Sequence, residues 1–329
     1  MGRRGWFAWF LGACVVLVAA IVLGAMIGPA GAISKANWNV IWNLRLPRVV
    51  LGGIVGATLS LAGASYQGVF RNPLVDPYLL GVAAGAGLGA TLVFATGLSG
   101  SSMALTASAN SWPIDPLPLA AFFGGLAAVL VTYLVGASFG GSSATLVLAG
   151  VAVAALATAL QTLILQRNNE VIRPVYNWML GNLSSAQWSD VRLITPYVAV
   201  CAVVLLLHRR QLDVLRVGDD EAVALGAPVA RVRLTVVLAA TMATAAAISV
   251  TGLIGFVGIM VPHFVRMLSG HSYRSVLPMS MVVGAAFLIL ADIPSRSLLG
   301  GAELPIGVVT AILGAPFFIL LLRTKRAGV

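Results

Sequence analysis

HRRQLDVLRVGDDEAVALGAPVARVR followed by LTVVLAATMATAAAISVT, residues 208–251, contains both textures from which the chain is built. The first part, His208–Arg233, carries nine of the thirty charged side chains: Arg209, Arg210, Asp213, Arg216, Asp219, Asp220, Glu221, Arg231 and Arg233. The second, Leu234–Thr251, has none in 18 residues. As a helix rising about 1.5 Å per residue, such a run nearly matches a hydrocarbon core of about 30 Å. It therefore reads as a membrane span, and the charged part as a segment in water.

Working outward, the same texture repeats. Of 329 residues, 59% are hydrophobic and 9% charged, with mean hydropathy +0.99. No globular core absorbs that much apolar surface, so the solvent is lipid. Continuous apolar runs without period-two alternation exclude a β-barrel and leave helices. The expected fold is all-α and polytopic, one domain over 1–329. Ten spans are expected, at about Trp6–Ile27, Val49–Phe70, Tyr78–Leu98, Leu119–Ala137, Ala144–Gln166, Leu193–Leu207, Leu234–Thr251, Gly252–Met267, Val276–Ile293 and Ile306–Leu322. Trp6–Ile27 is too long for a signal-peptide core. Arg71–Pro77 is a proline-broken connection. Gly81, Gly85 and Gly89 share a helix face open to close approach. Arg167–Arg192, with Trp178 and Trp188, reads as interfacial, and Ile33–Arg48 and Ser99–Pro118 as outer loops.

Ten spans put both termini on one side. On that topology thirteen of the twenty Lys and Arg residues fall inside and seven outside, which favours N-in and C-in. The island 208–233 is then cytoplasmic. The net charge of +10 is spread over short loops and sets topology; it is not a nucleic-acid footprint. Cys14 and Cys201 lie in apolar runs and suggest neither disulfide nor metal site.

The missing chemistry narrows the function. Neither Lys35 nor Lys325 ends a phosphate-binding loop, so ATP is not cradled here. His208, His263 and His271 form no zinc-protease motif. Asp76, Asp292 and Glu303 stand at span ends, not mid-span where an ion-driven carrier needs ionisable groups. The chain reads as a helical conduit whose energy comes from another protein.

Several motifs together resemble the FecCD-type permease family. They are Arg45-Leu46-Pro47-Arg48, Arg71-Asn72-Pro73-Leu74-Val75-Asp76-Pro77, Gly255–Gly258 with Pro262-His263 and Arg266, Leu290–Asp292 with Arg296, and Glu303–Thr310 with Leu313–Pro316. The resemblance runs in order from about Leu44 to Leu322. It implies the membrane subunit of a binding-protein-dependent ABC importer for ferric siderophores, haem or cobalamin. Its implied partners are a dimer of ABC ATPase subunits, an extracytoplasmic substrate-binding protein and a second permease, most simply a second copy. ATP and Mg then belong to the ATPase, and this chain holds no cofactor. The implied location is a bacterial or archaeal cytoplasmic membrane.

The resemblance also assigns residues. Arg45, Arg48 and Arg296 match arginines that receive carboxylates of the binding protein; otherwise they are interfacial anchors. The island matches a cytoplasmic coupling segment of two short helices. Asp213–Val217 is expected as the first and Asp219–Leu225 as the second, separated by Gly218 and ended by Gly226 and Pro228. Asp219 and Asp220 are expected to cap the second helix, within an ATPase contact of Asp213, Gly218, Asp219, Glu221, Leu225 and Gly226. Thr145, Thr158 and Gln161 are the polar side chains of a span implied to line the path. Pro262-His263 reads as a kink, not a ligand, and Glu303 as a helix cap or partner of an arginine. A carrier or channel acting alone is the alternative from another class.

Overall fold

A computed structural model of the chain describes residues 3–28, 38–98, 115–299 and 303–326. The expected loops over 33–37, with Lys35, and over 99–114 lie outside these residues. The described residues are helical, with α1 at Arg3–Met26 and α2 at Trp38–Val69. Next come α3 at Val82–Ala95, α4 at Pro116–Ser138, α5 at Ser143–Arg167, α6 at Ile172–Met179 and α7 at Trp188–Leu207. Two short helices, α8 at Arg209–Leu215 and α9 at Asp219–Ala224, precede α10 at Val229–Thr251. The chain continues with α11 at Val257–Ser269, α12 at Tyr273–Ser297 and α13 at Ile306–Arg326.

Seven of these helices (α1, α2, α4, α5, α7, α10 and α12) are long and apolar enough to cross a membrane. Three shorter apolar helices are Val82–Ala95, Val257–Ser269 and Ile306–Ile319. Each corresponds to a run expected to span. At about 1.5 Å per residue, the 14 residues of α3 and 13 of α11 reach only about 20 Å. Non-helical backbone precedes each of these two, at 70–81 and 252–256.

The most buried helices, α2, α10 and α12, form the centre. α2 packs on α12, α10 and α11, while α3, α4 and α5 pack together to one side, α10 joining them through α4. α1 is peripheral and rests mainly on α12. Glycine sets the closest crossings. A Cβ on Gly56 of α2 would collide with the backbone of Gly284 on α12, and the reverse collision also holds. Gly85 and Gly89 likewise face the backbone of Gly124 and Ala120 on α4. Gly81 departs from that shared face: it is the left-handed residue starting α3, at φ +89°.

Candidate functional site

Polar chemistry gathers at the two ends of α2 and α12. These helices run in opposite senses, so the N-terminal end of α2 meets the C-terminal end of α12. The 24 residues from Leu46 to Val69 separate the two ends by about 36 Å.

At one end, Arg48 of α2 chelates Asp292 of α12. Its Nε donates to Oδ2 at 2.9 Å and its Nη2 to Oδ1 at 2.9 Å. Nη1 donates to both oxygens of Glu303, each at 2.9 Å. The pairing is planar and bidentate, for which guanidinium is suited. Arg296, one turn after Asp292, lies 3.4 Å from Asp292 Oδ2 and donates 2.7 Å to the Gly24 carbonyl. Arg45 donates to the Met26 carbonyl at 2.9 Å and the Ala25 carbonyl at 3.3 Å. A π-turn over Ile41–Arg45 comes just before Leu46 and shifts the register of Arg48 and the rest of α2. The three arginines expected at a docking face are thus 4%, 7% and 4% exposed for Arg45, Arg48 and Arg296, and their partners lie in this chain. Glu303 is the partner of an arginine, one of the two roles expected for it. Asp292 sits within α12, because that helix runs on to Ser297, past the expected span end at Ile293.

At the other end lies the island. The first short helix starts earlier than expected, at Arg209, because Asp213 is engaged elsewhere. Its carboxylate accepts from the Tyr273 N–H at 2.7 Å and the Ser272 hydroxyl at 2.7 Å, which caps the start of α12. Gly218 does separate α8 from α9, at φ +133°. The expected caps are corrected: Gly218 itself is the N-cap and no side chain caps α9. Asp219 points instead to arginines, 2.7 Å from Arg233 Nη2 and 3.4 Å from Arg71 Nη2. Gly226, at φ +80°, ends the helix together with Pro228. Leu212, Leu215 and Ala222 hold the segment to the core. Val217, Val223 and Leu225 face away, at 57%, 61% and 70% exposed, beside exposed Glu221.

Between the ends, an apolar groove of about 760 Å³ opens along one side. Tyr78, Met179, Phe256 and residues 307–316 of α13 are prominent in its lining. The three side chains expected on a pathway are not among the lining residues of this groove. Gln161 is buried, donating 3.3 Å to the Met179 sulfur. Thr145 bonds Ser142 at the start of α5, and Thr158 is exposed. His263 is within ring contact of Phe317, their centroids 6.4 Å apart. No group of three or more His, Cys, Asp or Glu that could hold a metal occurs among the described residues.

The FecCD transport family model matches residues 6–324. The chain belongs to the FecCD transport family. This FecCD permease is 39% identical over 288 residues to the cobalamin import system permease BtuC of Halobacterium salinarum, across 87% of this chain and 74% of that one. It is 35% identical over 305 residues to the hemin transport permease HmuU of Yersinia pestis, across 90% and 87%. A solved structure described as a metal-chelate type ABC transporter in an inward-facing conformation superposes with TM-score 0.85 at 31% identity, across 96% and 98%. The chain is a polytopic transport permease of the cytoplasmic membrane. Sequence reasoning about this FecCD permease missed Tyr78 and Phe256 as groove residues and Arg71 as a partner of Asp219. A groove lined from four separate segments leaves no local pattern. Val217 and Val223 carried a faint signal, as valines among charged neighbours.

Proposed function

We propose that the chain is the membrane subunit of a binding-protein-dependent importer that moves a ferric siderophore or haem into the cytoplasm. Two copies form the conduit, each with ten spans and both termini inside. ATP is hydrolysed on a separate pair of ATPase subunits, and this chain is not an enzyme. The relatives named for hemin and the metal-chelate neighbour support an iron chelate, while the relative named for cobalamin keeps a corrinoid as the second reading.

One observation carries the coupling role: Val217, Val223 and Leu225 form an exposed apolar tip on an otherwise charged segment that is anchored from beneath. Apolar residues held out of the membrane in this way suit a groove on a soluble partner. Asp213, Gly218, Asp219, Glu221 and Gly226 shape and position that tip. In co-purification of permease and ATPase, Leu225→Asp or Gly226→Arg is expected to release the ATPase. Full retention would count against the contact.

The opposite end is the proposed dock for the binding protein. Its carboxylates would reach Arg45, Arg48 and Arg296 by displacing internal acceptors, of which Glu303 is a third exposed. Glu303→Gln is therefore expected to tighten binding-protein association several-fold at low salt. Unchanged association would remove the arginines from this role. Uptake of haem, ferric siderophores and cobalamin by the assembled complex would decide the substrate.

A further inference from the structure

Among the described residues, two that are not glycine adopt a left-handed backbone: Arg71 at φ +50° and Phe256 at φ +68°. Such conformations cost an L-residue energy and persist where the surroundings enforce them, often in switching segments. These two stand at opposite ends of one continuous linkage.

The linkage begins on the coupling segment. Asp219, the first residue of α9, lies 3.4 Å from Arg71 and 2.7 Å from Arg233. Any shift of α9 therefore pulls on Arg71. From there the backbone runs through a stiffened stretch. Asn72 Oδ1 accepts from the Leu74 N–H at 2.9 Å, and Asp76 Oδ1 from the Tyr78 N–H at 2.8 Å. Pro73 and Pro77 fix two φ angles more, and the Pro77 ring packs on Gly258 at the start of α11. The stretch ends on Tyr78. Its hydroxyl donates to the Ile254 carbonyl at 3.0 Å and accepts from the Ile254 N–H at 3.1 Å. Two residues on, Phe256 packs its side chain against Gly314 of α13. Tyr78, Phe256 and α13 all line the groove.

We propose that residues 71–78 are a strut that carries movement of the coupling segment to the groove, with Asp219 gripping one end through Arg71 and Tyr78 fixing the other at Ile254. Asp219, Arg71 and Tyr78 are positioning residues: they act through Phe256 and α13, not on the transported molecule. The inference rests on the coupling role proposed for the island. What makes it more than proximity is an ion pair at one end, two hydrogen bonds at the other, and the strained residues that bracket it.

The test uses the assembled permease–ATPase complex in lipid vesicles, with Cys14 and Cys201 replaced by serine. Ile312→Cys on the groove carries a nitroxide, and its mobility is followed on adding Mg-ATP. In the parent, ATP is expected to change the label's mobility. In Arg71→Gln and Tyr78→Phe, ATP hydrolysis stays within about twofold of the parent while the label's response falls by about tenfold. Because both act on one linkage, the double variant loses no more than either single variant. Asp219→Glu and Arg71→Lys retain the response. If the parent's label is indifferent to ATP, the coupling role falls. If the parent responds and both variants respond equally, or lose the response only in proportion to hydrolysis, the strut alone is overturned.

Discussion

Asp292 accepts three hydrogen bonds from Arg48 and lies beside Arg296, so one buried carboxylate faces two buried guanidiniums. Glu303 supplies the second negative charge from a partly exposed position. Removing a buried partner leaves an uncompensated charge, which costs about 3–5 kcal/mol. Asp292→Asn is therefore expected to lower the thermal unfolding midpoint of the detergent-solubilised protein strongly. Glu303→Gln should lower it by far less, because water reaches that carboxylate. Equal effects would mean that Glu303, not Asp292, anchors the cluster. These four ionic residues were individually visible in the sequence as charges at span ends. Their pairing was not, because Arg48 lies 244 residues from Asp292 and 255 from Glu303. Charge patterning reads only neighbours along a helix, a few residues apart.

Helices were the most legible level, since an uncharged apolar run can satisfy its backbone in lipid only by coiling. Their ends were less so. Asp219 was expected to cap its own helix, as Asp does wherever no stronger partner is near. Arg233 and Arg71 outcompete the α9 N–H groups, and neither is adjacent in sequence. Glycine at helix crossings was partly legible. The spacing of Gly85 and Gly89 showed a face, but only the packed structure pairs Gly56 with Gly284. At that crossing any side chain must push two central helices apart, and overpacking of this kind costs about 1–3 kcal/mol or more. Gly284→Val is expected to destabilise the protein by at least that much, measured by loss of the monodisperse peak on heating. Gly12→Ala, in open space on α1, should have no effect.

At the scale of the whole molecule, the chain holds a groove open on one side, an apolar tip at one end and a largely buried ionic cluster at the other. Vesicles containing this chain alone should show no accumulation of haem or siderophore, whereas vesicles with ATPase and binding protein should show ATP-dependent accumulation. Uptake by the chain alone would make it a carrier. The short helices also bear on how the chain enters the membrane. At 13 residues, with Pro262, His263 and Arg266 inside it, α11 is too short and too polar to leave the translocon for lipid unaided. Its buried face meets α2 and α12, the first made long before it and the second after. Nascent chains ending near Gly270 should therefore hold this segment at the translocon, and chains extended past Ser297 should release it into the bilayer. A glycosylation-tag series across these positions would follow the handover. The order in which the ribosome supplies neighbours thus belongs to how this permease becomes a membrane protein.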